Sequence, residues 1–170
     1  EWMRYRLLSF VLGKTVKFVG TAGVKCIKLS EQGATFKINN KTKVRNHIGT
    51  LHAAASMLVA ETATGMALGM HLPDNKVPVL KNANVDYVKR SSGALVAKAS
   101  LTEEQKTLLH SDDKGAFIVQ CEVIDDAAPR DAGFRLGSGP TRPGHRLFPK
   151  TCQCPQRTEK HWTFSHKSMH

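Results

Sequence analysis

Long apolar runs, a disulfide framework and any face for stacking bases are all missing from this 170-residue chain. Its most apolar stretch, residues 51–70, is broken by His52, Glu61, Gly65 and Gly69. A membrane span needs roughly 20 predominantly apolar residues, so no span is expected. The four cysteines are Cys26 and Cys121 in strand-like runs and Cys152 and Cys154 near the end. That spacing is no disulfide scaffold, and a reducing compartment, cytoplasm or mitochondrion, is the expected setting. Cys152, Cys154, His161 and His166 have ligand chemistry, but a C-x-C start without a surrounding core fits structural zinc sites poorly. No metal and no other cofactor is expected. The short apolar stretch after Trp2 is followed by no small-residue cleavage signature, and an opening Glu1 reads as a trimmed start, which leaves targeting illegible.

Acidic residues are scarce toward the C-terminus. Residues 1–126 hold 17 Lys/Arg against 12 Asp/Glu, whereas residues 127–170 hold 8 against 2, so the tail carries more than half of the net charge of +11. A basic body attracts polyphosphates, although ordinary solubility charge gives the same total. No aromatic-basic face or recognition helix accompanies the charge, and nucleic acid is not an expected partner.

What is present has a clear order. Residues 2–11 read as a short amphipathic helix ending at Gly13. Two alternating runs, 23–31 and 34–39, flank Gln32-Gly33 and form a hairpin. After a polar loop, Thr50 is a plausible N-cap for a helix over residues 51–70, apolar nearly all round and therefore enclosed. Three further strands are expected at 79–90, 94–101 and 116–124. Between the last two, residues 102–110 read as a helix with a capping-type start. Strands grouped around one enclosed helix, with links too short for parallel crossovers, predict an α+β layer fold with a largely antiparallel sheet. From residue 127 onward stand five of the seven prolines and four glycines, and disorder is expected there. The division is thus a lead-in over 1–22, a domain over 23–126 and a basic tail over 127–170.

Four polar groups gather on the enclosed helix and its lead-in: Asn46, Thr50, His52 and Glu61. Nine residues separate His52 from Glu61, about 180° around a helix, so one helix cannot make them cooperate but a two-fold dimer can. Among apolar neighbours Glu61 is placed for desolvation to raise its pKa and make it a base. Unpaired N–H groups at the helix start, that of Ala53 above all, suit an oxyanion, and Asn46 can hold a water or a carbonyl. On composition alone, a salt-bridged or solvent-reaching Glu61, a structural His52 and an ordinary Asn46-His47 loop are the commoner readings.

The run Asn46-His47-Ile48-Gly49-Thr50-Leu51-His52-Ala53-Ala54 with Glu61 resembles the helix-start motif of hotdog-fold thioesterases of the phenylacetate-pathway type. The resemblance spans residues 2–126 and includes the lead-in from Val19 to Val24. It implies a hotdog fold, with a sheet wrapped around a long central helix, and a homodimer or dimer of dimers acting on acyl-CoA or another thioester. It also implies Glu61 as base or nucleophile, Asn46 orienting water, Ala53 supplying the oxyanion N–H and His52 placing the thioester. Gly49 and Thr50 would line the substrate site. Lys89 and Arg90, paired cations at the end of the third expected strand, offer charge-assisted bonds to CoA phosphates, although a solvated edge is the commoner reading. Two departures stand out. Ala53-Ala54 replaces the usual Gly-Gly, which narrows the acyl channel, and the family's last strand, between the fifth and the third, is not found after Ile124. It is expected to be missing or degraded. A non-catalytic acyl-CoA-binding or scaffold protein is the alternative expectation.

Overall fold

The computed structural model of this protein describes residues 2–87, 90–111, 115–127 and 156–166. Helices α1 (Trp2–Thr15) and α2 (Lys17–Ala22) lead into a hairpin of β1 (Val24–Ser30) and β2 (Gly33–Ile38). A 3-10 turn (Thr42–Val44) precedes α3 (Ala53–Gly69). There follow β3 (Lys76–Val85), β4 (Leu95–Ala99), α4 (Glu103–Ser111), β5 (Gly115–Asp125) and β6 (Gln156–His166).

The six strands form one sheet in the order β1-β2-β4-β5-β6-β3, with every pairing antiparallel. Strand alternation supplies the core side of the sheet: Phe36 and Ile38 from β2, Leu95 and Ala97 from β4, and Val119, Cys121 and Val123 from β5 are buried, while Lys98 and Glu122 between them are exposed. Against this face packs α3, whose Leu58, Val59, Ala60, Ala63, Ala67 and Leu68 are all buried. Burial likewise pushes the Cys26 thiol up to about 11, which leaves it an inert member of the core.

Helix α4 begins with a reciprocal capping box, Thr102 N–H to Gln105 Oε1 at 3.0 Å and Gln105 N–H to Thr102 Oγ1 at 3.2 Å, which satisfies two otherwise orphaned donors. Its far end is tied to β3 by the buried Lys76, whose Nζ donates to Leu109 O at 2.8 Å.

The strand expected to be missing is present. β6 occupies the place between β5 and β3, paired antiparallel with both, so the expected disorder of the tail does not hold over residues 156–166. Residues 128–155, with the glycines and prolines that argued for a broken strand, lie outside the described residues. The sequence disguises β6 because it opens Gln156-Arg157-Thr158-Glu159-Lys160-His161, without an apolar residue, and β-formers gather only at Trp162-Thr163-Phe164. A strand hydrogen-bonded on both edges draws its stability from two ladders and tolerates such a start.

The ten-residue β3 is left at the sheet margin, with Val77 and Val79 exposed. Pro78 fits there, since proline removes a ladder donor and is confined to edges.

Candidate functional site

The turn that leads into α3 is held by one side chain. Asn46 Oδ1 accepts from Ile48 N–H and Thr50 N–H, both at 3.1 Å, and Asn46 Nδ2 donates to Thr50 Oγ1 at 2.8 Å. The backbone adds Asn46 N–H to Thr50 O at 2.8 Å and Gly49 N–H to Asn46 O at 3.1 Å. Two N–H donors on Oδ1 fix which end of the carboxamide is oxygen. They also fill its two lone pairs, leaving one Nδ2 hydrogen to offer elsewhere. Asn46 can therefore still donate, but it has no acceptor capacity to spare.

The helix cap lies two residues beyond the expected Thr50. His52 is extended at φ −66°, ψ 143°, and its Nδ1 accepts from Ala54 N–H at 3.0 Å. Thr50 cannot cap because its hydroxyl already serves Asn46 and a β-bridge between Arg45 and Leu51 keeps the chain extended to that point. The cap needs Nδ1 unprotonated, so the neutral ring carries its hydrogen on Nε2. An exposed Nε2–H donor results. Ala53 follows as the first helical residue, and its N–H has no partner among the described residues; such a group carries the positive end of the helix dipole.

A residue that sequence reasoning missed joins this region. Tyr87, just past β3, donates its hydroxyl to Ala53 O at 3.0 Å, and partial burial raises its pKa. That bond brings the chain following β3 to the start of α3; Arg90, three residues further on, is exposed, and Lys89 lies outside the described residues. A tyrosine two residues before a basic pair was the available signal.

Glu61 stands apart from this group. Nine residues along a helix is an advance of about 13.5 Å and half a revolution from His52, so a single chain does not bring the two together. At 100° per residue, Ala54, Met57, Glu61 and Gly65 share one stripe of α3, and it is the side least covered by the chain's own sheet: Ala54 is exposed and the other three are half-buried. The Glu61 carboxylate has no hydrogen-bond or ion-pair partner among the described residues. One turn further on, β6 lays Trp162 across Gly65, where an added Cβ would sit 3.1 Å from the indole Cη2. Gly65 is thus the space into which the ring fits. Trp162 is 6% exposed and its Nε1–H has no partner among the described residues.

Residues 4–131 match the profile of a domain of unknown function, DUF4442. The chain belongs to the DUF4442 family. No curated protein matches the sequence. Among solved structures, a Pseudomonas aeruginosa protein described as of unknown function, probable thioesterase, is similar with a TM-score of 0.69 and 14% identity, over 95% of each chain. A Haemophilus influenzae thioesterase gives 0.65 and 13%, over 95% of this chain and 90% of its own. A Chlorobaculum tepidum protein of unknown function gives 0.68 and 11%, over 96% and 94%. Likeness at such identity shows the fold alone: this DUF4442 protein has the hotdog fold of these structures, an antiparallel sheet packed against α3.

Proposed function

We propose that this DUF4442 protein hydrolyses thioesters of the acyl-CoA class at a site completed by a second copy of the chain. The observation that carries the proposal is the Glu61 carboxylate, half-buried on an otherwise enclosed helix and without a partner among the described residues. A half-buried carboxylate with no partner among the described residues suits the role of a general base or nucleophile. The dimer is supported by β3, a long edge strand with exposed Val77 and Val79, which invites pairing with another strand. A two-fold axis beside it can set the Glu61 stripe of one copy against the Asn46 turn of the other.

In that arrangement Glu61 takes a proton from water, whose oxygen bonds to the thioester carbonyl carbon. The oxyanion that forms is held by Ala53 N–H, while the free hydrogen on Asn46 Nδ2 and the outward Nε2–H of His52 orient the water and the carbonyl. Collapse breaks the C–S bond, and the thiolate recovers the proton from Glu61. Gly49 and Thr50 line the approach, and Arg90 with Lys89 offers charge-assisted bonds to CoA phosphates.

The test follows thiol release from acyl-CoA esters of increasing chain length. Glu61→Gln is expected to lower turnover by roughly 100- to 10,000-fold at an unchanged dimeric mass, and undiminished turnover would reject the assignment. A second reading, acyl-CoA binding without turnover, is favoured by the exposed Ala53 and Ala54 methyl groups at the helix start. Tight binding by the natural chain with no thiol released would select it.

A further inference from the structure

Helix α1 is apolar on two sides. Its inner side, Tyr5, Leu8 and Leu12, packs against the core, and Ser9 Oγ accepts from Cys26 N–H at 2.8 Å, which pins the helix to β1. At 100° per residue Met3, Leu7, Phe10 and Val11 fall on the opposite side, within a sector of about 100°. They are 76%, 64%, 61% and 50% exposed. Lys14 continues that stripe with its Nζ 5.5 Å from the Phe10 ring centroid, and Phe18 of α2 adds a further exposed ring. A helix that only covered a core would turn polar residues outward.

The charges carried by α1, α2 and β1 have one sign. From Trp2 to Ser30 there are six Lys/Arg and no Asp/Glu. On the helical wheel Arg4 borders one side of the stripe and Arg6 the other, and Lys17, Lys25 and Lys28 are exposed on the adjoining α2 and β1. Cations whose aliphatic stems flank an apolar stripe are placed to keep their heads in water while the stripe is buried. A second copy of this chain would bring the same cations to the contact. An anionic bilayer surface supplies both a medium for the apolar side chains and negative headgroups for the rim. No helix among the described residues is long and apolar enough to cross a bilayer, and a helix lying in the plane of the interface does not need to be.

We propose that α1 is an interfacial helix that seats this domain on anionic lipid, with Met3, Leu7, Phe10 and Val11 inserted at the headgroup level. The full chain is to be sedimented with vesicles of phosphatidylcholine alone and of equimolar phosphatidylcholine and phosphatidylserine. Binding is expected only to the second, weakening as salt is raised. Because Leu7 and Phe10 are exposed, the double variant Leu7→Glu, Phe10→Glu should retain its melting transition and lose partitioning by roughly tenfold or more. Lys14→Gln and Lys17→Gln should each weaken it by about fivefold, a second readout that leaves the apolar stripe intact. Equal binding to both vesicles, no binding to either, or binding indifferent to these substitutions overturns the proposal. So does a solution mass that falls in the double variant of a chain that ignores vesicles, which would assign the face to a second copy.

Discussion

Two polar turns of this protein are tied off by single side chains, whereas the outer stripe of α3 is left open. In the turn before α3, Asn46 satisfies Ile48 N–H, Thr50 N–H and Thr50 Oγ1. At the end of β5, the Asp125 carboxylate accepts from the N–H groups of Ser92, Gly93 and Ala127 at 2.6, 3.1 and 3.0 Å. Along the stripe, the Glu61 carboxylate and the Trp162 indole N–H have no such partners among the described residues. Tied-off groups shape loops. A buried donor left unmet costs roughly 1–3 kcal/mol, so open groups persist where another requirement holds them. On the proposed reading, the turn before α3 is held in shape by its own hydrogen bonds, and the stripe keeps the open group that the chemistry would use.

The largest test bears on what closes the stripe. Trp162→Ala removes the ring that fills the space over Gly65 and is expected to lower stability by ~3–5 kcal/mol, read from the midpoint of denaturant unfolding. Trp162→Phe keeps an aromatic ring and deletes the unmet N–H, so it should cost much less. If both variants lose equally, the ring's fit rather than its open donor decides the position, and the contrast with the turns weakens.

What the sequence made legible divides along the same line. The β1–β2 hairpin, the enclosed α3 and the α4 capping box are written in local patterns: alternation, apolar periodicity and a Thr102–Gln105 pair. The lead-in turn was legible as a candidate site for the same reason, since Asn46, Gly49, Thr50 and His52 are near in sequence and in space. Long-range matters were not. β6 follows β5 only after residues 126–155 and takes its place through two ladders rather than through its own composition. The Tyr87 hydroxyl reaches Ala53 across 34 positions. The cap moved from Thr50 to His52 because the Asn46 network had already claimed the threonine hydroxyl, a competition that propensity cannot see.

A smaller effect sharpens the tied-off side of the comparison. Burial alone would raise the Asp125 carboxyl, but N–H donors from Ser92, Ala127 and Gly93 together with Ser92 Oγ outweigh it and hold the group below its ordinary 3.8. A carboxyl lowered by folding contributes stability that is fully present above the unfolded value and is lost as pH falls through the folded one. Asp125→Asn is therefore expected to cost about 1–2 kcal/mol at neutral pH, the lower part of the range for hydrogen bonds to a charged group because solvent screens this partly exposed carboxylate. In unfolding midpoints measured against pH, the gap between variant and natural chain should begin to close near pH 3.8 and vanish as the pH falls through the lower folded value. A gap that persists unchanged into acid would mean that the carboxylate's charge is not what ties this turn.

A comparably small effect is expected in the lead-in turn itself. Gly49 sits at φ +80° with nothing within 4 Å of where a Cβ would stand, so Gly49→Ala meets no obstacle within its own chain and costs only the left-handed backbone, roughly 1–2 kcal/mol. Unfolding measured on the dilute chain isolates that term. Repeated at concentrations where two copies associate, the same substitution separates two cases. An unchanged penalty means that the turn faces solvent, whereas a penalty that grows with association means that a second copy packs against Gly49. The second outcome would place the Asn46 turn at the interface that the Glu61 stripe requires.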